Sequence, residues 1–197
     1  QNVRDLATKK EIILIFDECT SGFRESFGGL HLKYGVDPDM AIFGKALGNG
    51  YAITAVLGRK EIMQEAQSTF ISSTFWTERI GPTAAIKTLE IMKKEESWKK
   101  ISNIGLSIKD LWSKLSDKYE LPIDISGISA LPNFSIISKN NIKYKTLITQ
   151  EMLKKNILAS NSVYVCIKHN EDIIEEYGYY LDEIFNTIKD CEEGNNI

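Results

Sequence analysis

Residues 12–16, Ile-Ile-Leu-Ile-Phe, are continuously apolar and stop at Asp17. A run that does not alternate with polar residues is the pattern of a strand covered on both faces in a parallel sheet. Two further short runs, "DMAIF" and "AITAVL", are bounded by Gly, Pro and Asn and read as buried strands of the same sheet, with Lys45 just after the first of them. These three runs call for an α/β layer with polar residues delivered to its edge.

Helical spacing follows. Residues 78–94 repeat apolar positions every three or four residues, with Thr77 as the N-cap, although Gly81 and Pro82 fall near the start. Residues 97–118 carry Trp98, Ile101, Ile104, Ile108, Leu111, Trp112 and Leu115 on one face of an amphipathic helix. Beyond Glu120 the pattern turns to the short strands "IDISGISA" and "NFSIIS", a helix over 144–155, and "VYVCI". A last helix over 171–191 puts Ile173, Ile174, Tyr177, Leu181, Ile184, Phe185 and Ile188 on its buried face, and the tail "EEGNNI" reads as frayed. With no repeat or long Gly/Ser linker, the chain is expected to form two α/β units, 1–95 and 96–197.

Composition narrows the function. A net charge of −3 with mixed signs offers no basic stripe for nucleic acid or an anionic membrane. No run approaches the roughly 18 apolar residues of a membrane helix. Cys19, Cys166 and Cys191 lack CxxC spacing, which fits reduced thiols in the cytoplasm. The opening "QNVRDLATKK" has neither an initiating methionine nor an apolar signal region, so the chain is expected to be a fragment.

Ligands of open parallel sheets gather at the carboxyl ends of the strands. Asp17 ends one apolar run and Lys45 ends another 28 positions later, so adjacent strands could bring a carboxylate and an amine to one crevice. On spacing alone, an ion pair at a sheet edge remains an equal reading. A nucleoside-triphosphate loop is excluded, because GxxxxGK[ST] would need glycine at Asp39 and Ser or Thr at Ala46. His31 and His169 lack metal-ligand neighbours and read as surface or packing residues, so no metal site is expected. No GxSxG elbow occurs and Cys19 has no evident base, which disfavours a hydrolase. Trp76, Trp98 and Trp112 read as core.

The stretch "LIFDECTSGFRESFGGLHLKYGVDPDMAIFGKALGNGYAITAVLGRKEIM" resembles the cofactor signature of class III pyridoxal-phosphate aminotransferases, nearest the glutamate-1-semialdehyde aminomutase branch. "FDE", "GFR", "GG", "YGVDPD" and "GKALGNG" stand in the family's order. The likeness continues through "SSTFWTERIGPTAAIKTL" and, more weakly, "MLKKNILAS" and "HNEDI". It implies a fold-type-I transferase: the later part of the large, mixed or parallel-sheet domain, then a small C-terminal α/β domain. It also implies pyridoxal 5'-phosphate as cofactor, with Lys45 as its Schiff-base lysine and Asp17 paired to the pyridine nitrogen. Thr74 would be the phosphate ligand that neighbouring subunits exchange, with Thr77 in reserve. Gly44, Gly48 and Gly50 would either let the backbone approach the cofactor or simply form a turn.

Two departures bear on this likeness. Glu78 and Arg79 replace the family's Asn-Pro pair, and residues 159–168 hold no acid where the aminomutases carry a glutamate. Arg24, Arg59 and Arg79 are the arginines available for a substrate carboxylate, with a surface role as the alternative. The expectation is a homodimeric enzyme moving an amino group from a small-molecule donor to a carbonyl acceptor. Intramolecular aminomutase transfer and an inactive scaffold subunit are the alternatives.

Overall fold

Strands β1 (Ile15–Asp17) and β2 (Met40–Phe43) pair in parallel, with Asp17 opposite Ile42. They belong to a computed structural model that describes residues 1–71, 74 and 77–194. The chain divides into units Gln1–Lys99 and Lys100–Ile197, and each is described by itself.

In the first unit, helix α1 (Asn2–Lys9) precedes β1, and the short helix α2 (His31–Tyr34) lies in the crossover to β2. Strand β3 (Ala55–Gly58) joins the other edge of β2, giving the order β1-β2-β3. It makes the sheet mixed, within the mixed or parallel domain the resemblance implies, although the apolar run alone read as a parallel strand: β3 is antiparallel to β2, with Phe43 opposite Ala55. A parallel crossover needs a dozen or more residues and usually a helix. The loop over 44–54 contains one 3₁₀ turn, Lys45–Leu47, and returns the chain directly. Helix α3 (Lys60–Met63) and a second 3₁₀ turn follow, then helix α4 (Ile80–Glu95).

Burial is also less than the apolar runs imply. Strand β1 begins at Ile15, and Ile12, Ile13 and Ile15 are each at least half exposed, as is Leu57 of β3. The core of this unit is small: Ala41, Phe43, Leu47 and Ala85, with Phe23, Ile53, Ala55 and Leu89 against it. A buried polar anchor accompanies it. The Asp39 carboxylate accepts from the Leu14 N–H at 2.8 Å, Arg4 at 2.8 Å and Arg59 at 3.0 Å, and so ties the start of β1 to α1 and the end of β3. The Leu14 amide, followed by the Arg4 side chain, holds its pKa down at about 2.

Helix α4 starts at Ile80, later than the sequence pattern suggests, and Thr77 does not cap it. The Glu78 carboxylate accepts from the backbone N–H groups of Ile80 and, at 2.9 Å, Gly81. An acid at this end is favoured by the exposed amides and the helix dipole. Trp98 is half-buried against Phe27, with ring centres 5.3 Å apart, and Trp76 lies outside the described residues.

The second unit is built mainly from the amphipathic helices α5 (Ser97–Tyr119), α6 (Asn141–Lys154) and α7 (Glu171–Glu192), with strands β4 (Ile123–Ser126) and β5 (Asn133–Ile136) paired antiparallel. Residues of α5, α6 and α7 at three- and four-residue spacing meet in one core around Trp112, Phe134, Met152 and Phe185. Trp112 is fully buried and satisfies its indole N–H on the Tyr177 hydroxyl at 2.9 Å. The Asn170 side chain caps α7 by accepting from the Ile173 N–H at 3.1 Å. That position leaves Ile173 46% exposed rather than buried. "VYVCI" forms no strand: Ser162 makes a single bridge to Asn133, while the Val163 and Val165 N–H groups donate to Pro132 and Ala130 carbonyls in the loop before β5.

Candidate active site

Asp17 and Lys45 come off the carboxyl ends of the parallel neighbours β1 and β2, so the topology carries both to one edge. Neither is buried. Asp17 is exposed, contrary to its expected place at the tip of a covered strand, and its carboxylate accepts from the Cys19 N–H at 3.0 Å. Among the described residues the two do not form the simple ion pair. The Lys45 ammonium instead donates to the Thr20 hydroxyl.

The backbone around Lys45 is unusual. Lys45 has φ of 42°, in the left-handed region that a lysine enters at a cost of about 1–2 kcal/mol, and Asn49, a residue that tolerates this region, has φ of 46°. Three local bonds hold the turn: Leu47 N–H to Gly44, and Gly48 and Asn49 N–H to Lys45. Leu47 is buried and anchors it. Gly48 and Gly50 serve the turn. A Cβ on Gly48 would lie 2.1 Å from the Tyr51 carbonyl oxygen, whereas Gly50 has φ of 104° and open space around it. The turn also rides on the segment after β1, since a Cβ on Gly44 would come within 3.3 Å of the Cys19 sulfur.

Cys19 feels both charges. Burial pushes its thiol above the ordinary value, the Asp17 carboxylate pushes it further, and the Lys45 charge acts in the opposite direction. It is therefore a poor thiolate nucleophile. Behind it, Glu18 is buried and takes hydrogen bonds from the Ser21 hydroxyl and from the backbone N–H and Nδ1 of His31, both at 3.0 Å. Burial acts to raise the Glu18 pKa, but these bonds outweigh it and leave it below the usual value. Neighbouring strand residues point to opposite faces, so Asp17 meets solvent while Glu18 enters the interior. His31 is thus a packing partner of a carboxylate.

Thr74 is exposed in a turn between residues outside the described set, and no described bond joins it to Asp17 or Lys45. Arg59 is engaged by Asp39 and Glu61, and the Arg24 Nε–H donates to the Thr20 carbonyl at 2.8 Å. Arg79 is exposed at the start of α4. Sequence reasoning did not single out Glu18, Asp39 or Thr20. A carboxylate next to Asp17 was visible, but nothing local showed which acid turns inward. Among the described residues no group of three or more His, Cys, Asp and Glu could hold a metal ion, and no helix is long and apolar enough to cross a membrane.

An amine and a carboxylate at adjacent strand ends suit an aldehyde-bearing pyridine, and the fold is that of pyridoxal-phosphate transaminases. The chain superposes with a TM-score of 0.87 on the Sphingopyxis sp. MTA144 FumI protein in its PLP internal aldimine form, at 21% identity over 96% of this chain and 46% of that one. The S-selective transaminase from Arthrobacter sp. with alanine bound gives 0.81 at 20% identity over 96% and 48%. The model of the class-III aminotransferase family matches residues 1–169, and the chain belongs to that family. It is 32% identical to 3-aminobutyryl-CoA aminotransferase of Cloacimonas acidaminovorans, over 97% of this chain and 47% of the relative. Identity to glutamate-1-semialdehyde 2,1-aminomutase of Methanocaldococcus jannaschii is 26% over 95% and 48%. The chain spans about half the length of these relatives.

Proposed function

We propose that the complete protein is a pyridoxal-phosphate-dependent aminotransferase that moves an amino group from a small-molecule donor to a carbonyl acceptor. The observation that carries this reading is the placement of Lys45 and Asp17 at the ends of neighbouring parallel strands, in a chain of the class-III family. Pyridoxal phosphate, when bound, supplies an aldehyde carbon and a protonated ring that accepts the electron pair left on the substrate carbon. Lys45 supplies the amine that binds that carbon and afterwards carries a proton on Nζ between substrate positions. The Asp17 carboxylate holds the proton on the ring nitrogen. The Thr74 hydroxyl donates to the phosphate of a neighbouring subunit's cofactor, which makes a homodimer part of the proposal.

Transfer between separate molecules is favoured over aminomutase chemistry because residues 159–168 offer no carboxylate. No finding supports an inactive scaffold. The relatives are about twice as long, so these 197 residues alone are expected not to transaminate. A cytoplasmic setting belongs to the same reading, supported by the three free cysteines. The test is amino transfer by the complete protein from a panel of donors to 2-oxo acids and aldehydes, with and without pyridoxal phosphate. Cofactor-dependent transfer that is lost in Lys45→Ala is expected. Turnover unaffected by Lys45→Ala would refute it.

A further inference from the structure

We infer that Thr20 is the residue that positions the Lys45 amine, an assignment that rests on the proposed role of Lys45. The Thr20 Oγ1 accepts from the Lys45 Nζ at 2.5 Å. It is the one described side-chain partner of that amine.

The backbone that carries the hydroxyl is held from several directions. The Glu18 N–H donates to the Ile42 carbonyl at 2.8 Å, locking the segment after β1 to β2, and the Gly22 N–H returns to the Glu18 carbonyl at 2.8 Å. Arg24 donates to the Thr20 carbonyl, and buried Glu18 ties Ser21 and His31 into the same turn. Threonine is stiff at χ1, so a fixed backbone fixes the hydroxyl as well. The other end is constrained too, since Lys45 leaves its turn from a left-handed backbone beside Cys19. A flexible four-carbon chain thus spans two fixed points.

A hydroxyl suits this task because it accepts from an ammonium and can donate to a neutral amine, staying bonded in both protonation states. The neutral amine is the reacting form. When it condenses with an aldehyde, a C=N bond forms, and the aldehyde oxygen leaves as water with two protons from the nitrogen and its surroundings. Thr20 takes no part in bond making. Its contribution is to limit where the nitrogen waits.

The test uses the complete, cofactor-stripped protein as wild type, Thr20→Val and Thr20→Ser. Each is mixed with pyridoxal phosphate, quenched with borohydride at increasing times and mapped for the pyridoxyl label. Binding of pyridoxamine phosphate, which has no aldehyde, is measured in parallel. Valine keeps the shape and removes the hydroxyl, so labelling of Lys45 is expected to slow about tenfold with pyridoxamine phosphate affinity unchanged. Serine keeps the hydroxyl but not the stiffness at χ1, and should restore most of the rate. A valine variant labelled at the wild-type rate, a serine variant as slow as valine, or a rate loss matched by lost pyridoxamine phosphate affinity would each overturn the positioning role. A wild-type label on another lysine would overturn this assignment together with the proposed role of Lys45, whereas a Lys45 label at equal rates in all three proteins would remove only Thr20.

Discussion

Replacing Gly48 by alanine should displace Lys45 more than it unfolds the protein. Gly48 has φ of −87° and ψ of −17°, which alanine adopts freely, so backbone strain does not enter. The methyl group is the difficulty: it would stand 2.1 Å from the Tyr51 carbonyl oxygen and 2.8 Å from Cγ2 of Ile53. An ordinary carbon–oxygen contact is roughly 3.3 Å, so the turn must open by about 1 Å. Overpacking of this kind costs about 1–3 kcal/mol, partly offset by alanine's advantage over glycine of about 1 kcal/mol in a helical conformation. A net loss of no more than about 2 kcal/mol should appear in urea unfolding. A 1 Å error in placement can cost about a hundredfold in rate, so labelling of Lys45 by pyridoxal phosphate and borohydride should fall by more than the stability change suggests. Gly50→Ala is the comparison. Its φ of 104° makes alanine strained, but its Cβ meets nothing within 4 Å, so stability should drop while labelling persists. Wild-type labelling in Gly48→Ala would refute the claim that this turn sets the amine.

Asp17→Asn should leave stability within about 0.5 kcal/mol, since the side chain is exposed and asparagine can still accept from the Cys19 N–H. Its turnover should fall by about a hundredfold or more, and wild-type turnover would contradict the ring-nitrogen role. Asp39 has a folded pKa of about 2 against an ordinary 3.8, so its contribution is complete above pH 3.8 and is lost as pH falls through 2. The stability gap between wild type and Asp39→Asn should therefore hold steady above that window and close within it, as followed by acid-dependent urea unfolding. Phe134→Ala removes a buried ring that lies 4.6 Å from Trp112 and 5.9 Å from Phe185, and should cost about 3–5 kcal/mol, whereas truncating the 91% exposed Leu158 should cost almost nothing in the same assay.

The long helices were the most legible parts of the fold because periodicity over five or six turns leaves little ambiguity. Residues 97–118 and 171–191 differ from α5 and α7 by a single residue at the C-terminal end. Short apolar runs carry less information. "AITAVL" marks a strand but not its direction, which depended on the length of the loop before it, and "VYVCI" has strand composition without a continuous strand partner. Burial of β1 was overstated because an apolar run reports what a residue tolerates, not what covers it. At the site, Asp17 and Lys45 were legible from their places at the ends of apolar runs. Thr20 was not, because a lysine side chain can reach many positions and only the folded turn shows which hydroxyl meets it. Glu78 was visible as a departure from the family pattern, yet its role as the anion at the start of α4 emerged only from its two backbone contacts.

The most direct measurement of the central claim is the site of covalent attachment. The complete protein, saturated with pyridoxal phosphate, is reduced with borohydride, digested and mapped by mass spectrometry. A single pyridoxyl group on Lys45 is predicted, with none on Lys60, Lys87 or any other lysine. A stoichiometric label elsewhere, with Lys45 unmodified, would contradict the account.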